Sequence, residues 1–257
     1  MGKVTALFNQ KGGVGKTTTC VNLCASFKAL GLSCLIVDSD PQGHSTSGMG
    51  IDKNTVYPST YNVLIEGVPA EKAIVSTRYG DVIPCNKGLF GSGIILADAE
   101  EREFVLKKAL EPIKERYDCI LIDCPALLEL LTLNALCAAD SILIPVQCEY
   151  LALEGLSDLM SSVKMIRRSL NPSLEVEGVL LTMFDGRTNL SLQIANEVKK
   201  HLRGTVFKTV IPRNVRLSEA PSHGRPVTAY DRGSRGAAAY MELAREIAGK
   251  NGWEVEK

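Results

Sequence analysis

A glycine- and lysine-rich segment near the N-terminus constrains the fold more than any other feature. Residues 10–18 read Gln-Lys-Gly-Gly-Val-Gly-Lys-Thr-Thr. They follow an apolar stretch at 4–9, which predicts a strand, and lead into 17–30, which predicts a helix closed by a glycine. Glycines let successive backbone N–H groups point at phosphate oxygens, and the start of the helix adds the positive end of its dipole. The order strand, loop, helix therefore predicts a phosphate-binding loop.

The loop departs from the ordinary G-x-x-x-x-G-K-[ST] pattern, because Gln10 stands where that pattern has its first glycine. A second lysine, Lys11, precedes the glycines. We expect Lys16 to reach the β- and γ-phosphates of a nucleotide, and the Thr17 hydroxyl to ligate Mg²⁺. The predicted nucleotide-binding residues of the loop are Gln10, Lys11, Gly12, Gly13, Val14, Gly15, Lys16, Thr17 and Thr18.

The rest of the chain alternates predicted strands and helices. This order predicts a single-domain α/β fold of the P-loop NTPase type over residues 1–257, with a twisted, mainly parallel sheet and helices on both faces. The first strand begins so early that we expect no N-terminal helix-turn-helix. The further predicted strands are 33–38, 81–85, 119–123, 141–146, 176–183 and 206–211, and the further helices are 97–117, 153–170, 190–202 and 236–249.

Composition excludes several classes of protein. With 45% hydrophobic and 23% charged residues, the chain is too apolar for a disordered protein and too charged for a membrane bundle. It has 29 basic and 29 acidic residues, which excludes a globally basic nucleic-acid binder but not a local basic patch. Eight cysteines without a C-x-x-C motif, and no signal peptide or apolar span, predict reduced thiols in a cytoplasmic protein.

Two carboxylates complete the predicted site. Asp123 ends one strand and Asp40 follows another, and strand carboxyl ends in a parallel sheet open into the ligand crevice. We expect Asp123 to hold Mg²⁺ through water. We expect Asp40 to belong to the metal site as well, and to orient or deprotonate the attacking water. Asp38 competes for the second role, although its place inside the strand favours a structural one.

Several longer segments carry a family resemblance. They include Asp-Pro-Gln-Gly at 40–43, Ile-Asp-Cys-Pro at 122–125, Pro-Val-Gln-Cys-Glu-Tyr at 145–150 and Val-Ile-Pro-Arg-Asn-Val-Arg-Leu-Ser-Glu-Ala-Pro-Ser-His-Gly at 210–224. With the lysine-led loop, the deviant Walker A of the ParA/MinD superfamily, they make the chain resemble the ParA/Soj chromosome-partitioning ATPases over almost its whole length.

The resemblance implies an ATP- and Mg²⁺-dependent ATPase. It implies a homodimer that sandwiches ATP, in which Lys11 of one subunit reaches the phosphates of the other and takes part in catalysis with Lys16 and Asp40. It also implies nonspecific binding of double-stranded DNA by the ATP dimer, hydrolysis that is slow alone and stimulated by DNA and a ParB/Spo0J-type partner, no membrane binding, and association with the nucleoid. Arg187 and Arg216 match DNA-contacting arginines, and the adenine-side loop matches Pro212, Arg213 and Asn214.

The charge distribution agrees with a DNA-binding face. Residues 199–250 hold eleven Lys and Arg against four acids, an excess of seven positive charges in a chain that is neutral overall. No base-reading motif is present, so we expect contacts to phosphates and a strong salt dependence.

Three departures from the family bear on hydrolysis and on the geometry of the switch. His44 replaces the asparagine of Asp-Pro-Gln-Gly-Asn, and Ala126, Leu127 and Glu129 replace Pro, Ser and Gly after the second carboxylate strand. The segment 84–93 also differs from the usual alanine-rich form.

Three other functions stay open. The altered switch is compatible with an ATP-dependent binding switch that hydrolyses little or no ATP. A MinD-like membrane-cycling regulator needs a basic amphipathic C-terminal helix, whereas 249–257 is short and acidic. An iron protein of the nitrogenase type needs a cysteine a few residues beyond the second acid, whereas Cys124 follows Asp123 directly.

Overall fold

The computed structural model describes residues 2–149, 152–202 and 204–256. Its centre is a seven-stranded sheet in the order β3-β4-β2-β5-β1-β6-β7, parallel except for β3. The mainly parallel sheet predicted from the sequence is confirmed. The strands are β1 (Lys3–Leu7), β2 (Cys34–Asp38), β3 (Val75–Thr77), β4 (Gly80–Ile83), β5 (Cys119–Asp123), β6 (Ser141–Gln147) and β7 (Glu175–Thr182).

Helices cover both faces of this sheet. They are α1 (Lys16–Ala29), α2 (His44–Gly48), α3 (Thr60–Ile65), α4 (Ser92–Leu96), α5 (Val105–Leu110), α6 (Leu130–Ala138), α7 (Ala152–Ser169), α8 (Asn189–His201), α9 (Val215–Glu219), α10 (Val227–Tyr230) and α11 (Arg235–Asn251). Short 3₁₀ turns lie at Ala70–Ala73, Lys87–Leu89, Glu111–Arg116 and Ala220–His223.

Successive strand residues point to opposite faces and build two cores. In β2, Leu35 and Val37 join the core under α5, α6 and α7, whereas Ile36 joins the core under α1 and α11. Since both faces are covered, the inner strands are buried throughout, which explains their continuous apolar runs.

The helix predicted over 97–117 is wrong in extent. Only Val105–Leu110 is α-helical, followed by the 3₁₀ turn, and turns precede it. Pro112 lies in the first turn of the 3₁₀ segment and lacks the N–H that a continuing helix needs. At the other end, the Asn134 side chain accepts from Leu106 N and donates to Arg102 O, which holds the approach to α5 in a loop.

The strand predicted over 206–211 is also wrong. This segment forms no continuous strand: Val206 makes an isolated bridge to Val179 of β7, and Phe207 N and Ile211 N donate to Val179 O and Leu181 O. The ladder does not continue because Glu246 of α11 accepts the N–H groups of Lys208 and Thr209, at 2.7 and 2.9 Å. At these two residues, a carboxylate from a distant helix thus replaces the neighbouring strand as hydrogen-bond partner.

The antiparallel strand β3 has no counterpart among the predicted strands. It has three residues, too few for a periodic signal, and pairs with β4 through a tight turn that needs Gly80 at φ 134°. The predicted strand at 81–85 corresponds to β4 and begins one residue earlier.

Candidate functional site

The sheet order brings the site together at one edge. Strand β5 lies between β2 and β1, and Asp123 at its end is in register with Asp38 on one side and Leu7 on the other. The loop that follows β1 therefore lies beside the carboxylates that end β5 and β2, as expected for a parallel sheet.

The glycine loop has an open, backbone-lined conformation. Gly13 and Gly15 have φ of 76° and 94°, in the left-handed region that a side chain disfavours. Gly15 precedes α1 without a side-chain cap, so the first N–H groups of that helix face the loop. Asn9 fastens its base, donating to Pro145 O at 2.7 Å and accepting from Lys11 N at 2.9 Å.

Lys16 lies inside this loop. Its Nζ donates to the carbonyl oxygens of Asn9 and Lys11, at 2.9 and 3.3 Å, and the residue is only 8% exposed. Burial lowers the pKa of Lys16, and nearby Asp123, Cys124 and Asp40 oppose this effect. The loop therefore presents one buried cation among backbone groups.

Asp123 is fully buried, and among the described residues only one of its two carboxylate oxygens has a hydrogen-bond partner. Its Oδ2 accepts from Ser45 Oγ at 2.7 Å, whereas its Oδ1 has no hydrogen-bond partner among the described residues. Burial raises the pKa of Asp123, and Ser45, Thr17 and Lys16 act in the other direction. An orphan carboxylate oxygen beside a threonine hydroxyl fits a hard cation.

No group of three or more His, Cys, Asp or Glu side chains in the described part of the chain could hold a metal ion. Mg²⁺ commonly binds through one or two carboxylates, waters and the phosphates of its substrate, so it does not need such a group. The donors available are Thr17 and Asp123, with Asp40 close enough to perturb the pKa of Asp123.

Asp38 and Asp40 differ in environment. Asp38 is completely buried, and its Oδ2 accepts from the Thr46 N–H and hydroxyl at 2.7 and 2.6 Å. Asp40 is partly exposed, and its Oδ1 accepts only the Gln42 N–H, at 2.9 Å. Asp38 thus anchors the start of α2, while Asp40 keeps a carboxylate oxygen available at the crevice.

The Lys11 side chain contacts an acid outside the glycine loop. Its Nζ lies 3.1 Å from Glu149 Oε2, and both side chains are about half exposed, at 43% and 50%. The Gln147 amide also donates to Glu149. Gln10, the residue in place of the usual glycine, donates to Ser162 Oγ of α7 at 3.3 Å.

A cleft of about 400 Å³ joins the glycine loop to the predicted adenine side. Pro212, Arg213 and Asn214 line it together with Gly13, Gly15 and Thr18. The two predicted halves of the nucleotide site are therefore brought together. Thr182, whose hydroxyl donates to Val14 O at 2.8 Å, and Met183 also line the cleft and were not predicted.

The two predicted DNA-contact arginines lie outside this cleft, on the surface. Arg187 forms an ion pair with Asp185 at 2.7 Å, just before α8. Arg216, in α9, contacts both Glu219 and Asp231, at 2.8 and 3.2 Å. Each arginine is therefore already paired with a carboxylate of its own chain.

The cysteines and the C-terminal segment have packing roles. All eight cysteines are free and buried, and burial raises the pKa of Cys124 far above its usual range. Trp253 packs edge-on against Phe27, with ring centroids 5.6 Å apart. Among the described residues, no helix combines the length and the apolar character needed to cross a membrane.

Sequence and structure comparisons agree on the relatives of this chain. Residues 2–176 match a family described as an AAA domain. The chain is 55% identical over 250 residues to the sporulation initiation inhibitor protein Soj of Bacillus subtilis, covering 96% of this chain and 99% of that protein. It is 47% identical over 249 residues to the chromosome partitioning protein ParA of Myxococcus xanthus, covering 96% and 88%.

A solved structure has the same fold. It is cobyrinic acid a,c-diamide synthase from Mycobacterium smegmatis with a bound ATP analogue and magnesium, at a TM-score of 0.85 and 33% identity, covering 100% of this chain and 99% of that one.

Proposed function

Since the chain belongs to the ParA/Soj family of chromosome-partitioning ATPases, we propose that it hydrolyses ATP with Mg²⁺ and that ATP binding switches it between a free and a DNA-bound form. The observation that carries the proposal is that the glycine loop holds the buried Lys16 ammonium close enough to Asp123 for the two charges to interact, while Asp123 Oδ1 has no hydrogen-bond partner among the described residues. The structural relative solved with an ATP analogue and magnesium supports the same ligands.

Different residues of the site are assigned to the phosphates, to the adenine and to the magnesium ion. The backbone N–H groups of residues 12–18 and the Lys16 ammonium hold the phosphates, and Pro212, Arg213 and Asn214 line the adenine side. Thr17 and Asp123 would hold Mg²⁺. When bound, Mg²⁺ neutralises charge that develops on the phosphates.

Asp40 is the proposed positioning group or base for the attacking water. It sits at the crevice, and its carboxylate has only one local hydrogen bond, so one oxygen is available to a water molecule. Asp38 does not suit this role, because its Oδ2 accepts both hydrogen bonds from Thr46, its Oδ1 accepts the Asp40 N–H at 3.3 Å, and the side chain is sealed from solvent.

We assign Lys11 to a second subunit's nucleotide. In this single chain its ammonium is about half exposed and is bound to Glu149 rather than directed at the loop it belongs to. In a dimer, Lys11 would leave Glu149 and contact the phosphates bound to the other subunit. Each nucleotide site would therefore be complete only when two ATP-bound chains meet. Gly12 leaves the approach open, since no atom lies within 4 Å of the position of a Cβ there.

DNA binding is assigned to Arg187 and to Arg216, the second of which lies in the positively charged segment 199–250. Since both contacts are to phosphates, the dimer would bind duplexes of any sequence and associate with the nucleoid. Two chains held together by ATP present two such surfaces to DNA. Hydrolysis separates the two chains and thereby lowers the affinity for DNA. A ParB/Spo0J-type protein is the proposed stimulator of hydrolysis.

The decisive experiment measures ATP turnover alone, with duplex DNA, and with DNA plus the cognate ParB-type protein. We expect slow basal turnover that rises with each addition and is absent in Lys16→Ala. Lys28→Ala, an exposed lysine of α1, is the control. Tight ATP binding without turnover under any of these conditions would instead identify a binding switch.

A further inference from the structure

An apolar groove of about 1070 Å³ lies between α7 and the C-terminal end of α8. Its apolar lining comes from α7, from β7 and from residues next to helix ends: Leu153, Leu156, Met160, Val163, Pro172, Val176 and Leu202. It shares no lining residue with the nucleotide cleft. The groove is thus a second concave surface, separate from the site already described.

Three cations border this groove. Lys164, Arg167 and Arg168 are spaced i, i+3 and i+4 on α7, so they project from one side of the helix. Among the ion pairs of the described residues, none involves these three side chains. Lys11, Arg187 and Arg216, by contrast, all have carboxylate partners.

The helix dipole accounts for only part of this arrangement. Cations in the last turn stabilise a helix C-terminus, which covers Arg167 and Arg168. Lys164 lies a turn earlier, yet it borders the groove with them. The one acidic lining residue, Glu154, lies at the opposite end of α7. An apolar groove with a cationic border is complementary to a ligand that is both apolar and acidic.

The length and concave shape of the groove indicate what kind of ligand it can bind. Its lining follows α7 from Leu153 to Arg168, about four helical turns or ~23 Å. A concave groove of this length accepts a single helix, which lays its apolar stripe between two existing helices, whereas a flat lipid surface does not reach the floor. We propose that this groove docks an acidic amphipathic helix of a partner protein.

The docked helix would lie against the element that touches the phosphate loop. Ser162, on another side of α7, accepts the hydrogen bond from Gln10. A partner held at Met160 and Arg168 therefore contacts the same helix that supports the start of the loop. The proposal concerns a surface outside the nucleotide site and stands apart from the proposed ATPase function.

The test uses a synthetic, fluorescently labelled helical peptide of about 16 residues, with leucines at helical spacing and glutamates elsewhere. A second peptide has lysine in place of every glutamate. Binding to the full-length protein is followed by fluorescence anisotropy. The variant Met160→Glu places a carboxylate in the groove floor, and Met165→Glu is its matched control, since Met165 is 57% exposed on the same helix and does not line the groove.

We expect the acidic peptide to bind at least about tenfold more tightly than the basic one, and Met160→Glu to weaken it by about tenfold while Met165→Glu has no effect. A thermal melt and ATP titration of each variant confirm that it is folded. Equal binding of both peptides, no binding of the acidic one, or equal effects of the two substitutions overturns the proposal. Sedimentation with phosphatidylglycerol vesicles that Met160→Glu abolishes, without peptide binding, assigns the groove to a membrane and also overturns it.

Discussion

The Lys11 ammonium lies 3.1 Å from the Glu149 carboxylate, so the lysine that marks this family is held by its own chain in the single subunit. The contact must break before Lys11 can reach another subunit. Because both side chains are about half exposed, the pair contributes at most about 1 kcal/mol.

Glu149→Gln should therefore favour the ATP-bound dimer by up to about 25-fold in dissociation constant, because one ion pair worth up to about fivefold is removed from each of the two subunits. Sedimentation velocity across a concentration series with ATP measures this. Glu154→Gln, an exposed acid in α7, is the control. A weaker dimer in Glu149→Gln would mean that Glu149 belongs to the interface itself.

Gly12→Val should bind ATP like the wild type but fail to dimerise. A Cβ at Gly12 meets no atom within 4 Å, and its backbone has no positive φ, so the substitution leaves the single chain unstrained. The steric conflict arises only where a second loop approaches. Calorimetry with ATP and ultracentrifugation separate the two effects.

The control for this substitution is Gly249→Val, since a Cβ at Gly249 likewise meets no atom, and the residue lies in α11. If Gly12→Val still dimerises with ATP, the sandwich arrangement is wrong for this chain.

Asp40→Ala should keep ATP binding and dimerisation while turnover falls by about 10²- to 10⁴-fold, the usual contribution of a positioned acid or base. The control is Asp52→Ala. Asp52 makes the same local turn, accepting the Asn54 N–H at 2.9 Å, but is exposed and lies outside the crevice. Phosphate release at the wild-type rate in Asp40→Ala would remove Asp40 from the reaction.

Glu177→Gln should cost about 2 kcal/mol of stability at neutral pH. Glu177 is 3% exposed and binds Lys3, Ser141 and Asn251, joining β1, β6, β7 and α11. Burial raises its pKa, but the hydrogen bond and charge of Lys3 outweigh burial, so the pKa of Glu177 is lowered in the folded protein.

The lowered pKa of Glu177 determines how its contribution to stability depends on pH. A carboxyl with a lowered folded pKa stabilises the fold above its unfolded pKa, and the effect is lost as pH falls through the folded value. Urea unfolding should therefore separate wild type and Glu177→Gln at pH 7, and the difference should shrink in acid. Glu175→Gln, exposed on the same strand, is the control. A difference that stays constant down to acid pH would rule out the ionised carboxylate as its source.

Local motifs were predictable from the sequence, and long-range partners were not. The glycine loop with Lys16 and the strand-end acid Asp123 are signalled by neighbouring residues, and the structure brings them together. Ser45 and Glu149 face these residues from 78 and 138 positions away, which no local pattern reveals. The strand predicted at 206–211 is wrong for the same reason, because the distant residue Glu246 accepts the backbone N–H groups of Lys208 and Thr209.

Arg216→Ala should weaken binding to duplexes of any sequence while ATP affinity and dimerisation stay unchanged. Arg216 lies outside the nucleotide cleft, on the positively charged part of the chain. To bind a phosphate, Arg216 must release its ion pairs with Glu219 and Asp231. We therefore also expect Glu219→Gln to strengthen DNA binding, since it removes one carboxylate that competes with the phosphate. Each lost phosphate contact should reduce the log–log salt slope by about 0.9.

A salt titration of DNA binding with ATP tests this, with each substitution placed in the Asp40→Ala background so that hydrolysis does not end the complex. Arg187→Ala should reduce the slope in the same way, whereas Lys72→Ala, an exposed lysine outside the basic segment, should leave it unchanged. Equal slopes for Arg216→Ala and its parent would place this arginine outside the interface. Equal affinity with ATP and ADP would remove the switch itself, because the paired surfaces exist only while two chains are held together.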